Sequence, residues 1–575
     1  MSFSFSKLDI ALFALVCYIT INRYFIQPHF GFSIRYTELL GLSFLYIVLR
    51  SLSPKNYSWL LLAIVISGIF QAVYGNLQLL GYCASNHSGF KMTGNFFNPG
   101  PYAGFLVSVW TVALGMYLFK DPLIRQVQSQ IKSNSPFLNK VIDYIFEYIP
   151  LLGIISIAIV LPATLSRAAW FAGIVGSVIL LELRYNYGSK GFQKTTAKLH
   201  KIILMLLAIG ILCVGLLGMY HYKKASSDGR AFIWKVTSEM IADNPIFGVG
   251  FDRFKAHYMN YQAHYFAVNG ETYEALTADN THYAFNEGLQ FVSENGFLGL
   301  PLLLIVLLVL LQTITNESFK GEALLAKTGI LTIGVFGCFS YPMQILPIKL
   351  VLVVLLVLLS NGATNSYNLK ILTPSPSPGE RGTVGFIVNR VIIALLACMV
   401  MYQTFSYTQI LKQGFTTWNN AMNYYQFGDY DAAVTAFETA YPIFKKEGDF
   451  LMNYGKTLSV AEELKKAILI LEQAKKYQNN TIIATALGDS YKVSKQYGKA
   501  EASYMQAITM TPSRFYAPYL LAKLYDESGQ KEKAVTVAQQ ILNKKIKVPS
   551  TAIEEIQQEM KQMLTKYKKP LGFKN

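Results

Sequence analysis

The sequence predicts an all-α architecture: a polytopic membrane helical bundle of about 11 spans, a large loop between two of them, and a C-terminal α-solenoid. Three observations carry this. With 52% hydrophobic and 15% charged residues and a mean hydropathy of +0.31, the chain is too apolar for a soluble protein of 575 residues. Runs of ~16 to 20 apolar residues, enough to cross a ~30 Å hydrocarbon core as helices, recur along most of its length. Beyond about residue 410 the chain turns polar and lysine-rich, with small residues at a steady interval.

The expected spans fall near 7–22, 34–50, 58–75, 101–119, 148–163, 168–183, 202–220, 297–312, 324–341, 344–360 and 386–406. The first is read as an anchor, because it lacks a small-x-small cleavage site and many spans follow it. This divides the chain into N-terminal membrane helices (1–220), a polar loop (221–296), C-terminal membrane helices (297–408) and repeats (411–567). The lysines and arginines of the short loops orient the bundle. Counted from a cytoplasmic N-terminus, the even loops hold Lys55, then Lys120, Arg125, Lys132 and Lys140, then Arg184, Lys190, Lys194, Lys198 and Lys201, then Lys320, then Lys370 and Arg381. The odd short loops hold only Arg23, Lys91 and Arg167. The asymmetry places the 221–296 loop outside the cytoplasmic membrane, and eleven spans put the repeats there too. The expectation is a multi-pass membrane protein with its polar loop and repeats on the extracytoplasmic side.

The formal charge of +17 is partly this topology signal and partly the lysine-rich tail. Without a basic groove interleaved with base-stacking aromatics, nucleic acid is not an expected partner. Of the five cysteines, Cys17, Cys213, Cys338 and Cys398 fall in spans and Cys83 stands in a loop, so neither a disulfide framework nor a zinc ribbon is expected. The stretch from Thr373 to Gly379 reads as an extended connector.

In the tail, Ala433, Ala467, Ala500 and Ala534 lie 34, 33 and 34 residues apart. The same register aligns Gly498-Lys499-Ala500 with Glu532-Lys533-Ala534, and a turn at Phe427-Gly428-Asp429-Tyr430 is matched to Gln496-Tyr497-Gly498-Lys499. A period of ~34 with small residues between paired helices is the tetratricopeptide signature. Its large aromatics, Tyr424, Tyr491, Tyr504 and Tyr525, are read as interhelix packing. A protein partner on its concave face is the corresponding expectation.

The loop holds most of the candidate chemistry. Ser226-Ser227-Asp228 can cap a helix starting near Gly229, with Phe232, Val236 and Met240 on one face, and Asn244-Pro245 ends it. Gly248 and Gly250 permit positive φ or close backbone approach. A second helix carries Phe254, Tyr258, Tyr261 and Tyr265 in one stripe, either lying at the lipid interface or stacking on a sugar or acceptor. Arg167, in a short external turn, and Arg230, at the start of the loop, are permanent cations whose planar forks match phosphate oxygens. Snorkelling to the headgroups is the structural alternative. His257, His264 and His282 fit no common zinc spacing, so no metal is expected.

Four patches in order resemble the O-antigen ligase and polymerase-related family of lipid-linked glycan transferases. They are Thr93 through Ala103, Leu165-Ser166-Arg167, Arg230 with Trp234 running into Asn244-Pro245-Ile246-Phe247-Gly248-Val249-Gly250, and Asn286 through Gly299. The resemblance covers roughly residues 30 to 360, and a tetratricopeptide array is an appendage found on some members. It implies transfer of a glycan from a polyprenyl diphosphate to a hydroxyl of lipid A core, of another glycan or of a protein, with no metal, nucleotide or other cofactor. Arg230 and Arg167 would hold the donor diphosphate. Asn244, Pro245, Gly248, Gly250, Asn286, Gly296 and Gly299 would shape the loop. Many members place a histidine directly before Asn286, where this chain has Phe285. His282, near one turn away if the helix extends that far, or Glu287 and Glu294, seven apart and able to share a helical face, are the candidate bases. Ligation to lipid A core ranks first, protein O-glycosylation second and polymerisation third. A transporter is a weaker reading, since the spans hold few ionisable residues and show no duplicated broken helices. A scaffold built on the repeats is another, and it expects no transfer once residues 411–575 are removed.

Overall fold

The computed structural model describes residues 3–27, 32–52, 56–131, 135–186, 224–316, 319–364, 366–369 and 382–568. Helices make up nearly all of it. The one sheet among the described residues is a two-stranded antiparallel ribbon, Phe3–Ser6 with Ser366–Leu369. Among the described residues, six helices are long and apolar enough to cross a membrane: Lys7–Ile26, Tyr57–Leu79, Pro99–Leu118, Pro136–Thr164, Arg167–Tyr185 and Glu287–Gln312. Leu346–Gly362 is a shorter apolar helix. Ile34–Ser51 and Lys320–Gly337 are helices where spans are expected, and the expected span at 202–220 lies outside the described residues, as does the connector at Thr373–Gly379.

Local sequence starts these helices where it should. Ser6 and Asp9 form a capping box at the head of the first, satisfying donors that the first turn leaves open. Asp9 also takes a 2.6 Å ion pair from Arg50 of the second helix. Asn98 caps the helix Pro99–Leu118 by accepting from the Gly100 N–H. That helix is the most buried of the six and serves as the axis of the bundle. Gly68 allows the neighbouring helix to meet it, since a Cβ there would lie 2.4 Å from Val109 Cγ1, the small-residue contact typical of membrane helices.

The repeat helices pair as the 34-residue period requires. Ala433, Ala467, Ala500 and Ala534 are all fully buried between helices, and Tyr491, Tyr504 and Tyr525 are buried too, whereas Tyr424 is exposed. Within each pair one left-handed residue turns the chain from the first helix to the second: Gly428, Glu462, Lys495 and Gly529 all have positive φ. This register corrects the turn alignment taken from sequence, because Gly428 corresponds to Lys495 and Tyr430 to Tyr497, each tyrosine opening its helix. Two of the four turns thus dispense with glycine, which hides the pattern. The helix Gly382–Gln426 runs unbroken from the last expected span into the first repeat.

The array docks edge-on against the polar segment, through the turns that join its repeats. Asn479 N–H donates to the Lys255 carbonyl (3.1 Å) and its side chain to Asn260 (2.6 Å). Asn280 and Thr481 exchange two hydrogen bonds, and Gln262 Nε2 donates to the Met510 carbonyl at 2.5 Å. Lys255 faces Glu447 at 3.6 Å, and Arg514 pairs with Asp279 at 2.6 Å. The last pair is exposed and contributes little. Beneath these contacts is a shared apolar core, in which Met510 is buried among Phe232, Val236, Met240, Phe254, Tyr258 and Tyr265.

That core corrects two expectations. The stripe Phe254, Tyr258 and Tyr265 neither lies on lipid nor waits for a sugar, since all three rings are buried inside the segment and against the repeats. The first helix of the segment is Lys224–Asp243, so the Ser226-Ser227-Asp228 cluster sits inside its first turns and does not precede them. The end at Asn244-Pro245 and the buried face of Phe232, Val236 and Met240 stand as read.

Met510→Ala should therefore destabilise both partners, by about 2–5 kcal/mol for a buried methionine. Amide hydrogen exchange should quicken in Phe254–Asn269 as well as in Tyr497–Met510, and unchanged exchange in the former would mean that the two share no core. His257 in the same segment is held neutral, its pKa lowered from 6.5 to about 4 by burial and by the Arg253 charge. The unfolded imidazole binds a proton more readily, so the stability this histidine contributes is full above about pH 6.5 and is lost as pH falls towards 4. His257→Gln should flatten that part of a melting-temperature profile between pH 7 and pH 4.

Candidate functional site

Two sequence patches far apart in the chain form one structural unit. The run Asn244–Gly250 lies against the break in the helix Glu287–Gln312, where Gly296 leaves helical geometry at φ 67°. Val249 N–H donates to the Ser293 carbonyl and Gly250 N–H to that of Glu294, both at 2.9 Å, while Phe297 and Leu298 N–H groups return to Pro245 and Ile246. A Cβ on Gly296 would lie 2.1 Å from the Ile246 oxygen, and one on Gly248 would lie 2.5 Å from the Glu294 carbonyl carbon. Both positions also need positive φ, so glycine is required twice over. Asn244 braces the clasp through the Met240 carbonyl and the Tyr261 hydroxyl, Gly250 turns at φ 99°, and Gly299 admits the ring of Tyr18.

The first helix and the turn after it complete this unit. Tyr18 donates to the Asn295 carbonyl, Asn22 to Phe247, Arg23 to Phe251 and Gln27 to Gly248, at 2.6 to 2.9 Å. Arg35 enters from the second helix, and its Nη1 reaches both Glu294 oxygens at 2.8 and 2.7 Å. Glu294 is fully buried and also accepts from Gln290 at 2.6 Å. It is thus closed to an acceptor hydroxyl, which corrects its reading as a candidate base. Arg35 escaped the sequence reading, although a charged residue within an expected span is a signal in itself.

Glu287 is placed differently. It opens the helix that Asn286 caps by accepting from Leu289 N–H at 3.0 Å, and Asn286 Nδ2 holds the Cys338 carbonyl at 3.1 Å. The Glu287 carboxylate accepts from Met343 N–H at 2.8 Å and is only partly buried. His282 does not lie on this helix, because the chain from Thr281 to Phe285 is irregular, so the one-turn relation to the position before Asn286 fails. Instead His282 faces the repeats: burial lowers its pKa, Asp449 acts to raise it and Lys255 to lower it further.

The structure brings the charge of Arg167 within electrostatic range of Arg230. Burial lowers the Arg230 pKa first and the charge of Arg167 second, with Tyr341 acting to raise it. The Arg230 guanidinium sits 5.8 Å from the centre of the Phe285 ring. Phe285 meets Tyr341 edge-on at 5.1 Å, and Tyr341 stacks on Tyr283 at 5.0 Å. Burial pushes the Tyr341 hydroxyl up to about 12, which keeps it a hydrogen-bond donor at neutral pH. Two non-glycine residues hold left-handed backbone here, Leu165 at φ 50° before Arg167 and Phe285 at φ 53° before Asn286. Bulky side chains rarely accept that conformation, and both occur within two residues of the start of a helix. Tyr341, like Arg35, was missed, since nothing around it in sequence distinguishes it from a packing tyrosine.

Comparison with protein families bears on this arrangement, because the stretch holding Arg167, Arg230, Glu287 and the clasp is the one that matches. Residues 152–304 match the O-antigen ligase family. The resemblance read from sequence is thereby supported for this stretch, which is followed by matches to YpiA-like C-terminal tetratricopeptide repeats over residues 415–478 and to a tetratricopeptide repeat over 483–514. A comparison with curated proteins returns no match. Among solved structures, "MamA RS-1 ArsTM double mutant" is 18% identical over 27% of this chain and 86% of that one, with a TM-score of 0.23. "Crystal structure of MamA protein" is 16% identical over 28% of this chain and 99% of that one, with a TM-score of 0.22. Scores this low carry no argument about function. Among the described residues, no group of three His, Cys, Asp or Glu is placed to hold a metal ion.

The buried pair makes a sharp test of the clasp. Arg35→Ala leaves Glu294 buried without its cation and should cost about 3–5 kcal/mol, read as a lower thermal midpoint. Replacing both residues, as Arg35→Met with Glu294→Gln, should recover much of that loss. If the single variant melts with the wild type, the pair does not hold the unit together.

Proposed function

We propose that the protein transfers a glycan from a polyprenyl diphosphate to an acceptor hydroxyl, at the membrane face that carries the 224–296 segment. The observation that carries this reading is the juxtaposition of Arg167 and Arg230 within the stretch that matches the O-antigen ligase family. Two guanidinium charges within electrostatic range of each other repel, and a diphosphate held by both would relieve that repulsion while presenting oxygens to both forks.

In the proposed reaction the acceptor oxygen attacks the anomeric carbon, and the bond from that carbon to the diphosphate oxygen breaks. Its electron pair leaves with the diphosphate, whose growing charge the two arginines stabilise. Glu287 takes the acceptor proton. It is the candidate base left in reach once Glu294 is committed to Arg35 and His282 to the repeat side. Direct displacement inverts the anomeric centre. Tyr341, as a hydroxyl donor beside Arg230, positions the diphosphate. No metal or nucleotide enters this scheme.

The docking of the repeats on the same segment supports placing both outside the cytoplasm, in a bacterial inner membrane, as the charge asymmetry of the short loops suggests. Lipid A core is the first acceptor class, a protein hydroxyl the second and a growing glycan chain the third. The docked array also bears on the scaffold alternative, since removing residues 411–575 would uncover the apolar core around Met510. Loss of transfer in such a truncation no longer separates an enzyme from a scaffold, and point variants are needed.

A strain lacking the gene should lose one glycoconjugate and accumulate its polyprenyl-linked donor when lipopolysaccharide, glycoproteins and lipid-linked intermediates are profiled together. Arg230→Ala should fail to restore it. Arg230→Lys keeps the charge but not the fork, and should transfer about 10²-fold more slowly. Glu287→Gln should slow transfer comparably while the protein folds normally. Full activity in Arg230→Lys would sink the donor-site assignment, and unchanged profiles in all three pools would favour transport or scaffolding.

A further inference from the structure

The patch Thr93 through Ala103 has no part in the reaction just described, yet it builds a defined surface. The Gln78 side chain, buried at the end of the helix Tyr57–Leu79, ties this loop together. Its Oε1 accepts from the Thr93 and Gly94 N–H groups at 3.0 and 2.8 Å. Its Nε2 donates to the Ala84 and Gly94 carbonyls at 3.0 and 3.1 Å. Four hydrogen bonds from one amide close the loop into a fixed shape, and Gly94 turns at φ 56° to allow it. The result is an open cleft of 470 Å³ whose lining includes Ser85, His87, Ser88, Phe90 and Lys91, with no carboxylate.

The chemistry of that lining is selective. His87 Nδ1 accepts from the Gly89 N–H at 2.9 Å, so a neutral imidazole carries its proton on Nε2 and offers it as a donor. The His87 ring packs at 4.8 Å from Phe90 and 4.9 Å from Phe97, which fixes its direction. Lys91 and Phe90 are exposed beside it. A cation, an imidazole donor, two hydroxyls and an aromatic face suit a hydroxyl-rich ring that bears negative charge. The cleft is also on the reacting side of the bundle. The helix Pro99–Leu118, which begins at this loop, packs along the helix that Arg167 opens, and Gly104 near its start lies against Phe336 and Ile348, the residues flanking the Tyr341 turn.

We propose that this cleft is a subsite for an acidic sugar, whose anionic group is read by Lys91 and His87 and whose ring lies on Phe90. This rests on the glycan-transfer reading and adds a substrate class to it: the glycan carries a uronate or a comparably charged sugar a short distance from the reacting end. A charge-assisted hydrogen bond contributes about 1.5–3 kcal/mol, so a single lysine contact corresponds to roughly tenfold or more in affinity.

The test is direct binding, measured by calorimetry on the full-length protein in phosphatidylcholine nanodiscs. The probes are a hyaluronan tetrasaccharide, which alternates glucuronate with a neutral sugar, and the uncharged chitotetraose. The wild type should bind the acidic probe roughly tenfold or more tightly than the neutral one. Lys91→Glu should abolish that preference, His87→Ala should weaken it, and Arg230→Ala should leave it in place. Unchanged melting temperatures show that the variants fold. Equal affinity for both probes, or a preference lost in Arg230→Ala but kept in Lys91→Glu, would overturn the subsite. So would loss of the preference when phosphatidylglycerol replaces part of the phosphatidylcholine, since the cleft would then be reading a lipid headgroup. Binding does not require turnover, so a protein that discriminates the probes but transfers no glycan in cells would refute the transferase reading and leave the subsite.

Discussion

The ion pair between Arg35 and Glu294 is the contact on which the candidate site depends. Glu294 lies fully buried one residue before Asn295 and two before the break at Gly296, and its carbonyl accepts from Gly250. One residue thus joins three elements: the second helix through its carboxylate, the broken helix through its backbone and the Asn244–Gly250 run through its carbonyl. Burying two charges is costly, and their attraction offsets that cost only when the geometry is good and the remaining lone pairs are satisfied. Gln290 supplies the further hydrogen bond, and the Phe251 ring lies 4.5 Å from the Arg35 guanidinium. Such a pair adds little net stability over apolar packing, but it tolerates no other register.

From this clasp the rest of the site follows by connection. The broken helix begins at Glu287, so fixing its middle fixes its N-terminus, and with it the Asn286 cap and the carboxylate that accepts from Met343. The turn carrying Met343 also carries Tyr341, whose ring meets Phe285 and whose charge neighbour is Arg230. Leu165 and Phe285 add left-handed turns just before Arg167 and Asn286. Strain of this kind persists only where the surroundings over-determine the backbone, and both residues lie beside the proposed donor site.

The repeats are more than an appendage, because they share a hydrophobic core with the polar segment. Their use of inter-repeat turns for docking explains why a solenoid suits the task. Successive turns lie at a nearly constant spacing along one edge, so Glu447, Asn479, Thr481, Met510 and Arg514 reach a single surface from three repeats. The continuous helix Gly382–Gln426 feeds this array without a flexible joint in the described structure, so the segment is held from the membrane side and from the repeat side.

Composition, hydropathy and period determined the class of this protein on their own: apolar helices, a polar segment between them and a repeat array. Those features are local, since a span needs only a run of apolar residues and a repeat needs only its own spacing. The order of the motif patches likewise marked the stretch that matches the O-antigen ligase family, and the glycines at 248 and 250 were legible because positive φ leaves few alternatives, while Gly296 stood out only as part of a motif patch. Tertiary structure alone decided which ionisable groups work and which brace. Glu287 and Glu294 look alike in sequence, seven residues apart on one helix, and differ because Arg35, some 250 residues away, reaches only one with its guanidinium. The aromatic stripe from Phe254 to Tyr265 read as an interface for the same reason, since periodicity shows that a face is apolar and says nothing about what covers it.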